Sequence, residues 1–225
     1  MHKAYFVTGT DTDVGKTACC CAILNAAQQE NIAIVGYKPI ASGCEKTPQG
    51  LRNSDALLLQ QASSMNVTYN EVNPYHFYRP VSPHIAALEE NKVIEFSVLS
   101  QGLANLKTKS DCVLIEGAGG WRVPINATDY LSSWVKQEQL PVILVVGVKL
   151  GCLNHALLTA EAIQADGLTV VGWIANCIEP KTDNYTAMVT WLEQQLPGKK
   201  IAEIPYIPHY QVSDLGTYID LAIFS

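Results

Sequence analysis

The chain has 225 residues with a formal net charge of −6, and its lysines and arginines are scattered, so the basic footprint of a nucleic-acid binder is missing and nucleic acid is excluded as a partner. Its longest apolar runs, such as Val142 to Val148, have strand length and fall well short of a membrane span, and the N-terminus reads as no signal peptide; a cytoplasmic protein without a membrane partner is expected. The seven cysteines, at 19, 20, 21, 44, 112, 152 and 177, include no C-x-x-C pair, which points to free thiols packed as small apolar residues in a reducing compartment.

In chain order, β-branched runs alternate with helical stretches. Strands are expected at Tyr5 to Gly9, Ile32 to Lys38, Cys112 to Glu116, Val142 to Val148, Val170 to Asn176 and Ile201 to Pro205. Helices are expected at Lys16 to Glu30, Ser54 to Ser64, Phe96 to Lys107, Leu153 to Ala165 and Asp183 to Leu196. Near-continuous apolar strands separated by helices indicate an α/β fold: a mostly parallel sheet covered by helices on both faces, one domain over residues 1–225 without linker or repeat. Such a sheet binds ligands beyond the carboxyl ends of its strands, so the residues that follow each strand are the candidates for chemistry.

The first such segment, Gly9-Thr10-Asp11-Thr12-Asp13-Val14-Gly15-Lys16-Thr17, reads as a phosphate-binding loop at a strand-to-helix junction. Successive N–H groups and the helix N-terminus receive a polyphosphate, Lys16 reaches its terminal phosphates, and the Thr17 hydroxyl suits Mg²⁺. A generic pattern would have glycine at position 10, where Thr10 stands, with Gly9 one residue early. After the second strand Lys38 leaves an apolar context, where an ammonium needs an anion or a route to solvent. Glu116 ends the third expected strand, either as an ordinary strand-end acid or as the carboxylate that nucleotide-hydrolysing folds place near the metal. Asp55 opens a helix, either as a metal ligand or as a first-turn acid favoured by the helix dipole. Thr17, Asp55 and Glu116 together make a reasonable Mg²⁺ set. His84 is either a site residue or part of a helix start at Ser82-Pro83. The five histidines form no metal-ligand spacing, and Trp121, Trp134, Trp173 and Trp191 are most simply core or interface residues. The triplet Cys19-Cys20-Cys21 is expected to alternate between faces of the first helix.

Taken together, the segments YFVTGTDTDVGKT (5–17), GYKPIASG (36–43), LRNSDA (51–56), SPHI (82–85), EGAGGW (116–121), PVILVVGVKLG (141–151) and GWIAN (172–176) closely resemble the dethiobiotin synthetases, P-loop NTPase-like enzymes of biotin synthesis. The resemblance implies that ATP and CO₂ convert 7,8-diaminopelargonate to a carbamate, then to a carbamic-phosphoric mixed anhydride, and finally to the closed ureido ring, with release of ADP and phosphate. It also implies a residue set. Asp13, Val14, Gly15, Lys16, Thr17 and Ala18 hold the phosphates, with Lys16 also counted as catalytic. Asp55 joins Thr17 and Glu116 in serving Mg²⁺, Lys38 is the catalytic lysine, and Thr12 and Ser42 flank the diamine. Gly117, Ala118 and Gly119 extend the cradle from Glu116. Asn176, Cys177, Pro205, Tyr206 and Ile207 receive adenine. A homodimer is implied, with the substrate carboxylate reaching the partner chain near Gly151 and Asn154. The segments 179–188 and beyond Pro208 depart from the family pattern, and the family's contacts near Tyr185 and Gln211 fall within them.

Two other classes remain to be weighed. A partitioning-type ATPase carries a lysine early in the loop, where this chain has Asp11. A cobyrinate-type amidotransferase needs a glutaminase domain for which the length leaves no room.

Overall fold

The computed structural model describes residues 3–208 and 212–224. In chain order the elements begin with β1 (Lys3–Gly9), α1 (Lys16–Gln29), β2 (Ile34–Tyr37), β3 (Ile40–Ala41), β4 (Glu45–Thr47), β5 (Gly50–Arg52), α2 (Ser54–Ala62), α3 (Tyr69–Val72) and β6 (Tyr75–His76). They continue with α4 (Pro83–Glu89), α5 (Phe96–Lys107), β7 (Cys112–Glu116), α6 (Leu131–Gln137), β8 (Val142–Gly147), α7 (Cys152–Ala165), β9 (Val170–Asn176), α8 (Tyr185–Gln195) and β10 (Lys199–Ile204). Two 3-10 segments, Val212–Tyr218 and Leu221–Phe224, follow.

Six strands form the main sheet in the order β10-β9-β8-β1-β7-β2, every pairing parallel. β7 and β8 are buried at every residue, as strands covered on both faces must be. The connection from β1 steps over β7 to β2, whereas the later connections run the other way along the sheet. Because such crossovers are right-handed, α1 lies on one face and α5 to α8 on the other. Accordingly α1 packs against α2 and the 3-10 segment 212–218, and α7 packs against β8, β9 and α8. Connections leave β1 and its neighbour β7 toward opposite faces, which opens the switch-point crevice at their carboxyl ends.

The expected elements are present with shifted ends, each for a local reason. The helix expected to reach Ser64 stops at Ala62, because Ser63 and Ser64 turn their hydroxyls onto β2: Gly36 N–H donates to Ser63 Oγ at 2.9 Å and Ile34 N–H to Ser64 Oγ at 2.7 Å. These bonds satisfy the outer edge of β2, the edge strand, with side chains where a further strand would otherwise pair. β2 itself ends at Tyr37, since the Lys38 N–H goes to the Val72 carbonyl at 2.8 Å. α8 begins at Tyr185 because Asn184 is left-handed, with φ 57°.

The cysteine triplet packs as small apolar side chains, as expected, and α1 is covered on more than one face. Cys19, Cys20 and Cys21 are all buried, at 0%, 0% and 1% exposure, because α1 is covered by the sheet on one side and by α2 and the 3-10 segment on the other. Gly216 permits that second contact, since a Cβ there would stand 3.2 Å from Ala26 N. Of the tryptophans, Trp134, Trp173 and Trp121 are core and Trp191 is partly exposed. β3 to β6, α3 and α6, all short, have no separate signal in the sequence. α4 does begin at Pro83, and His84 Nδ1 lies 3.0 Å from Ser82 Oγ, which supports the helix-start reading. Among the described residues no helix is long and apolar enough to cross a membrane.

Candidate active site

The loop after β1 is drawn over the switch point by its own glycines. Gly15, at φ 83°, caps α1 without any side-chain hydrogen bond, so the first N–H groups of that helix are left for a ligand. A Cβ at Gly15 would sit 2.2 Å from Asn176 Nδ2, and one at Gly9 would sit 2.6 Å from Val14 Cγ2. The early Gly9 is thus where this loop folds back on itself, with the left-handed Asp13 (φ 57°) making the turn.

Lys16 is 8% exposed and donates to the Asp11 carbonyl at 3.0 Å. Among the described residues no carboxylate lies within ion-pair distance of it, so a nearly buried cation is held by a neutral group at a helix N-terminus. Burial pushes its ammonium below the ordinary lysine value; Glu116 opposes that shift and Lys38 adds to it. An anion at this point would relieve the strain.

Beside it stands a charged cluster gathered from three elements. Register pairs Glu116 with Val7, placing the carboxylate at the carboxyl end of β7 directly alongside β1. Glu116 Oε1 accepts from Lys38 Nζ at 2.6 Å and from Thr17 Oγ1 at 2.9 Å. Lys38 Nζ also lies 3.2 Å from Asp55 Oδ2. Lys38 and Glu116 are 5% and 1% exposed, whereas the Asp55 side chain is 40% exposed and opens the cluster to solvent. Burial would lower the Lys38 pKa, but Glu116 and Asp55 outweigh it and hold the ammonium above the ordinary lysine value. The strand-end lysine therefore finds its anions, and the solvent-facing alternative is discarded.

Among the described residues Glu116 Oε2 is buried without a hydrogen-bond partner. An orphaned carboxylate oxygen next to a hydroxyl and a second carboxylate is a hard-oxygen set that fits Mg²⁺. Among the described residues no three His, Cys, Asp or Glu side chains gather as metal ligands, so such an ion would rest on Thr17, Asp55, Glu116 and the phosphates of a ligand.

A cavity of about 210 Å³ opens on the other side of the loop, lined by Asp13, Gly15, Ala18, Asn176, Cys177 and the segment Ile204 to Ile207. Asn176 Nδ2 donates to the Val14 carbonyl at 2.9 Å, coupling this cavity to the loop. Gly117 N–H bonds the Val7 carbonyl at 3.0 Å, and Ala118 and Gly119 follow it toward Thr12, whose Oγ1 would lie 3.7 Å from a Cβ at Gly119. Ser42 joins the cluster region through its carbonyl, which accepts from Asn53 Nδ2 at 3.3 Å.

The chain is 62% identical over 208 residues to the ATP-dependent dethiobiotin synthetase BioD of Photobacterium profundum, covering 92% of this chain and 94% of the relative. To the enzyme of the same name from Vibrio vulnificus it is 56% identical over 220 residues, covering 98% and 97%. The chain belongs to the dethiobiotin synthetase family. A family model for an AAA domain also matches residues 3–212. Solved structures of the MinD cell division protein from Aquifex aeolicus (TM-score 0.57, 14% identity, 98% of this chain and 89% of that one) and of a ParA family ATPase from Chlorobium tepidum (TM-score 0.56, 11% identity, 100% and 93%) share the P-loop NTPase fold.

Within this dethiobiotin synthetase fold, the family-implied residues fall into two groups. The loop, Lys38, Asp55, Glu116 and the cavity residues converge on the switch-point crevice. Gly151 and Asn154 instead lie exposed at the start of α7, next to Leu150, and among the described residues no hydrogen bond joins them to the Lys38 cluster. Tyr185 opens α8 with its hydroxyl buried, and Gln211 lies outside the described residues. Sequence reasoning missed Ile178, Ile204 and Leu215, which line the cavity; as lone aliphatic residues they carry no signal until the 3-10 segment folds back. It also missed Val72 and Asn73, which hold the main chain of Lys38.

Proposed function

We propose that this chain forms dethiobiotin from 7,8-diaminopelargonate, CO₂ and ATP, releasing ADP and phosphate. The observation that carries the reading is the near-full-length identity with ATP-dependent dethiobiotin synthetases, and the arrangement of charge supplies its physical basis. One amine adds to CO₂ and loses a proton, giving a carbamate. The γ-phosphoryl of ATP passes to the carbamate oxygen, and the second amine then attacks the carbamoyl carbon and expels phosphate, closing the ring.

Each stage crowds anions together, so the protein's part is to position them and to meet their charge. Lys16, with no carboxylate of its own, binds the terminal phosphates. Lys38, already preorganised by Glu116 and Asp55, neutralises the carbamate and the transferring phosphoryl. Thr17, Asp55 and Glu116 would hold Mg²⁺, which when bound would supply positive charge to the phosphate oxygens. Asp13 to Ala18 cradle the phosphates, Gly117 to Gly119 extend that cradle, and Asn176, Cys177 and Pro205 to Ile207 receive adenine. Thr12 and Ser42 border the diamine, and Gly151 and Asn154 take its carboxylate from across a homodimer interface.

Pure protein incubated with the diamine, bicarbonate, Mg²⁺ and ATP is expected to yield dethiobiotin by mass, with ADP formation dependent on the diamine. ATP hydrolysis indifferent to the diamine would favour a switch ATPase and sink the reading.

A further inference from the structure

Lys38, Ser42 and Asp55 lie on three segments outside the main sheet ladder, yet each is tied to one small buried polar group. Asn73 is fully buried, and its Nδ2 donates to the Lys38 carbonyl at 2.6 Å and to the Tyr75 carbonyl at 3.1 Å. The Lys38 N–H goes to the adjacent Val72 carbonyl, so the main chain of Lys38 is gripped on both sides by the end of α3. Asn73 Oδ1 accepts from the Tyr69 hydroxyl at 2.9 Å, and the same hydroxyl accepts the Asn53 N–H at 2.8 Å. Asn53 caps α2, its Oδ1 accepting from Ala56 N at 3.2 Å, and its Nδ2 reaches the Ser42 carbonyl. Asp55 is the second residue of that capped helix. The Tyr69 ring is fixed in turn by the Arg52 guanidinium 4.2 Å from its centroid and by the edge of His76.

We propose that Asn53, Tyr69 and Asn73 are positioning residues, a buried clamp whose central hydroxyl sets where Lys38, Ser42 and Asp55 stand relative to one another. The proposal rests on the roles given above to those three residues. Apolar side chains of the same volume would fill the space equally well; only directional bonds to the Lys38 carbonyl and the α2 cap define a distance between two chemically active side chains. Among the described residues the clamp has no hydrogen bond to Lys16 or to the cavity that includes Asn176, so it acts on one half of the site alone.

The test is Tyr69→Phe. Kcat is expected to fall about 10- to 100-fold, in line with small displacements of reacting groups, while KM for ATP stays within about twofold, since the phosphate loop is untouched. A lowered melting temperature with unchanged kcat per folded molecule would reduce the clamp to a structural role and overturn the proposal. A structure of the variant gives a readout independent of turnover: the 3.2 Å approach of Lys38 to Asp55 is expected to be lost, and its retention overturns the clamp even if the wild-type protein makes no dethiobiotin. That last outcome would remove the functional reading separately. Should Tyr69→Phe fail to fold, Asn53→Ser keeps the cap oxygen and the main-chain N–H but deletes the donor to Ser42. A several-fold rise in KM for the diamine alone is expected there, and unchanged constants would overturn the proposal.

Discussion

Lys38 carries the densest set of interactions of any residue in the site, touching Glu116 and Asp55 through its ammonium and Asn73 and Val72 through its main chain. Its removal has two separable effects. Lys38→Ala leaves Glu116 buried without its cation, and breaking such a pair costs about 3 to 5 kcal/mol of stability. It also deletes a preorganised donor, for which a loss on the order of hundreds-fold in kcat is expected, with ATP affinity changed far less. Single-turnover kinetics together with calorimetric ATP binding check this, and a near wild-type kcat would remove Lys38 from the mechanism. The cysteines show the opposite pattern. Burial pushes the Cys21 thiol up to about 12 and raises Cys19 and Cys20 as well, with Glu116 adding to each, so these thiols stay protonated and inert. Titration of the native protein with a thiol reagent is expected to modify Cys177, the one partly exposed cysteine, with the others reacting only on unfolding. Cys20→Ala should keep activity within a few-fold, and fast native labelling of the triplet would contradict the packing.

The segment after β7 shows how one element is fastened to another. Trp121 Nε1 donates to Asp166 Oδ2 at 2.8 Å, and Arg122 reaches the same carboxylate at 2.6 and 3.1 Å, pinning the exit of the glycine cradle to the end of α7. Burial alone would raise the Asp166 pKa, but the Arg122 and Trp121 donors outweigh it and hold the carboxyl below the ordinary aspartate value of 3.8. A depressed folded-state pKa means stability that is present above 3.8 and lost as pH falls through the folded value. Denaturation midpoints measured down to about pH 2 should therefore drop less steeply in Asp166→Asn than in the wild-type protein. Equal slopes would show that the carboxylate contributes nothing to acid stability. The pair is partly exposed, and added salt should blunt the effect.

At the scale of the whole molecule, the start of α7 presents an apolar side chain to solvent. Leu150 is 96% exposed there, beside Gly151 and Asn154, and Leu158 on the same helix is 56% exposed. A homodimer through this face would cover both leucines and bring a second chain to the diamine's carboxylate end. Leu150→Glu is expected to shift the sedimentation coefficient toward a monomer and to raise KM for the diamine while leaving KM for ATP unchanged. Retention of the wild-type sedimentation behaviour would move the interface elsewhere.

Local chemistry alone located the phosphate loop, the parallel α/β arrangement and the strand-end positions of Lys38 and Glu116. A glycine-rich turn between a strand and a helix, and apolar runs of strand length, express their physics within a few neighbouring residues. The start of α2 at Ser54 was equally legible, since a helix start expresses itself within one turn of chain. Other features had no local signature. That Lys38 meets Glu116, 78 residues away, and that among the described residues no carboxylate pairs with Lys16, depends on the β1–β7 register and on how α2 and α3 pack. The burial of all three cysteines of α1 required the C-terminal 3-10 segment to return to that helix. Tyr69 and Asn73 carried no local signal, and their role shows only where their hydroxyl and amide stand between the Lys38 carbonyl and the α2 cap. Backbone propensity and periodicity act over a turn or a strand, whereas the charge balance and spacing of this site arise from long-range contacts that only the packed chain brings together.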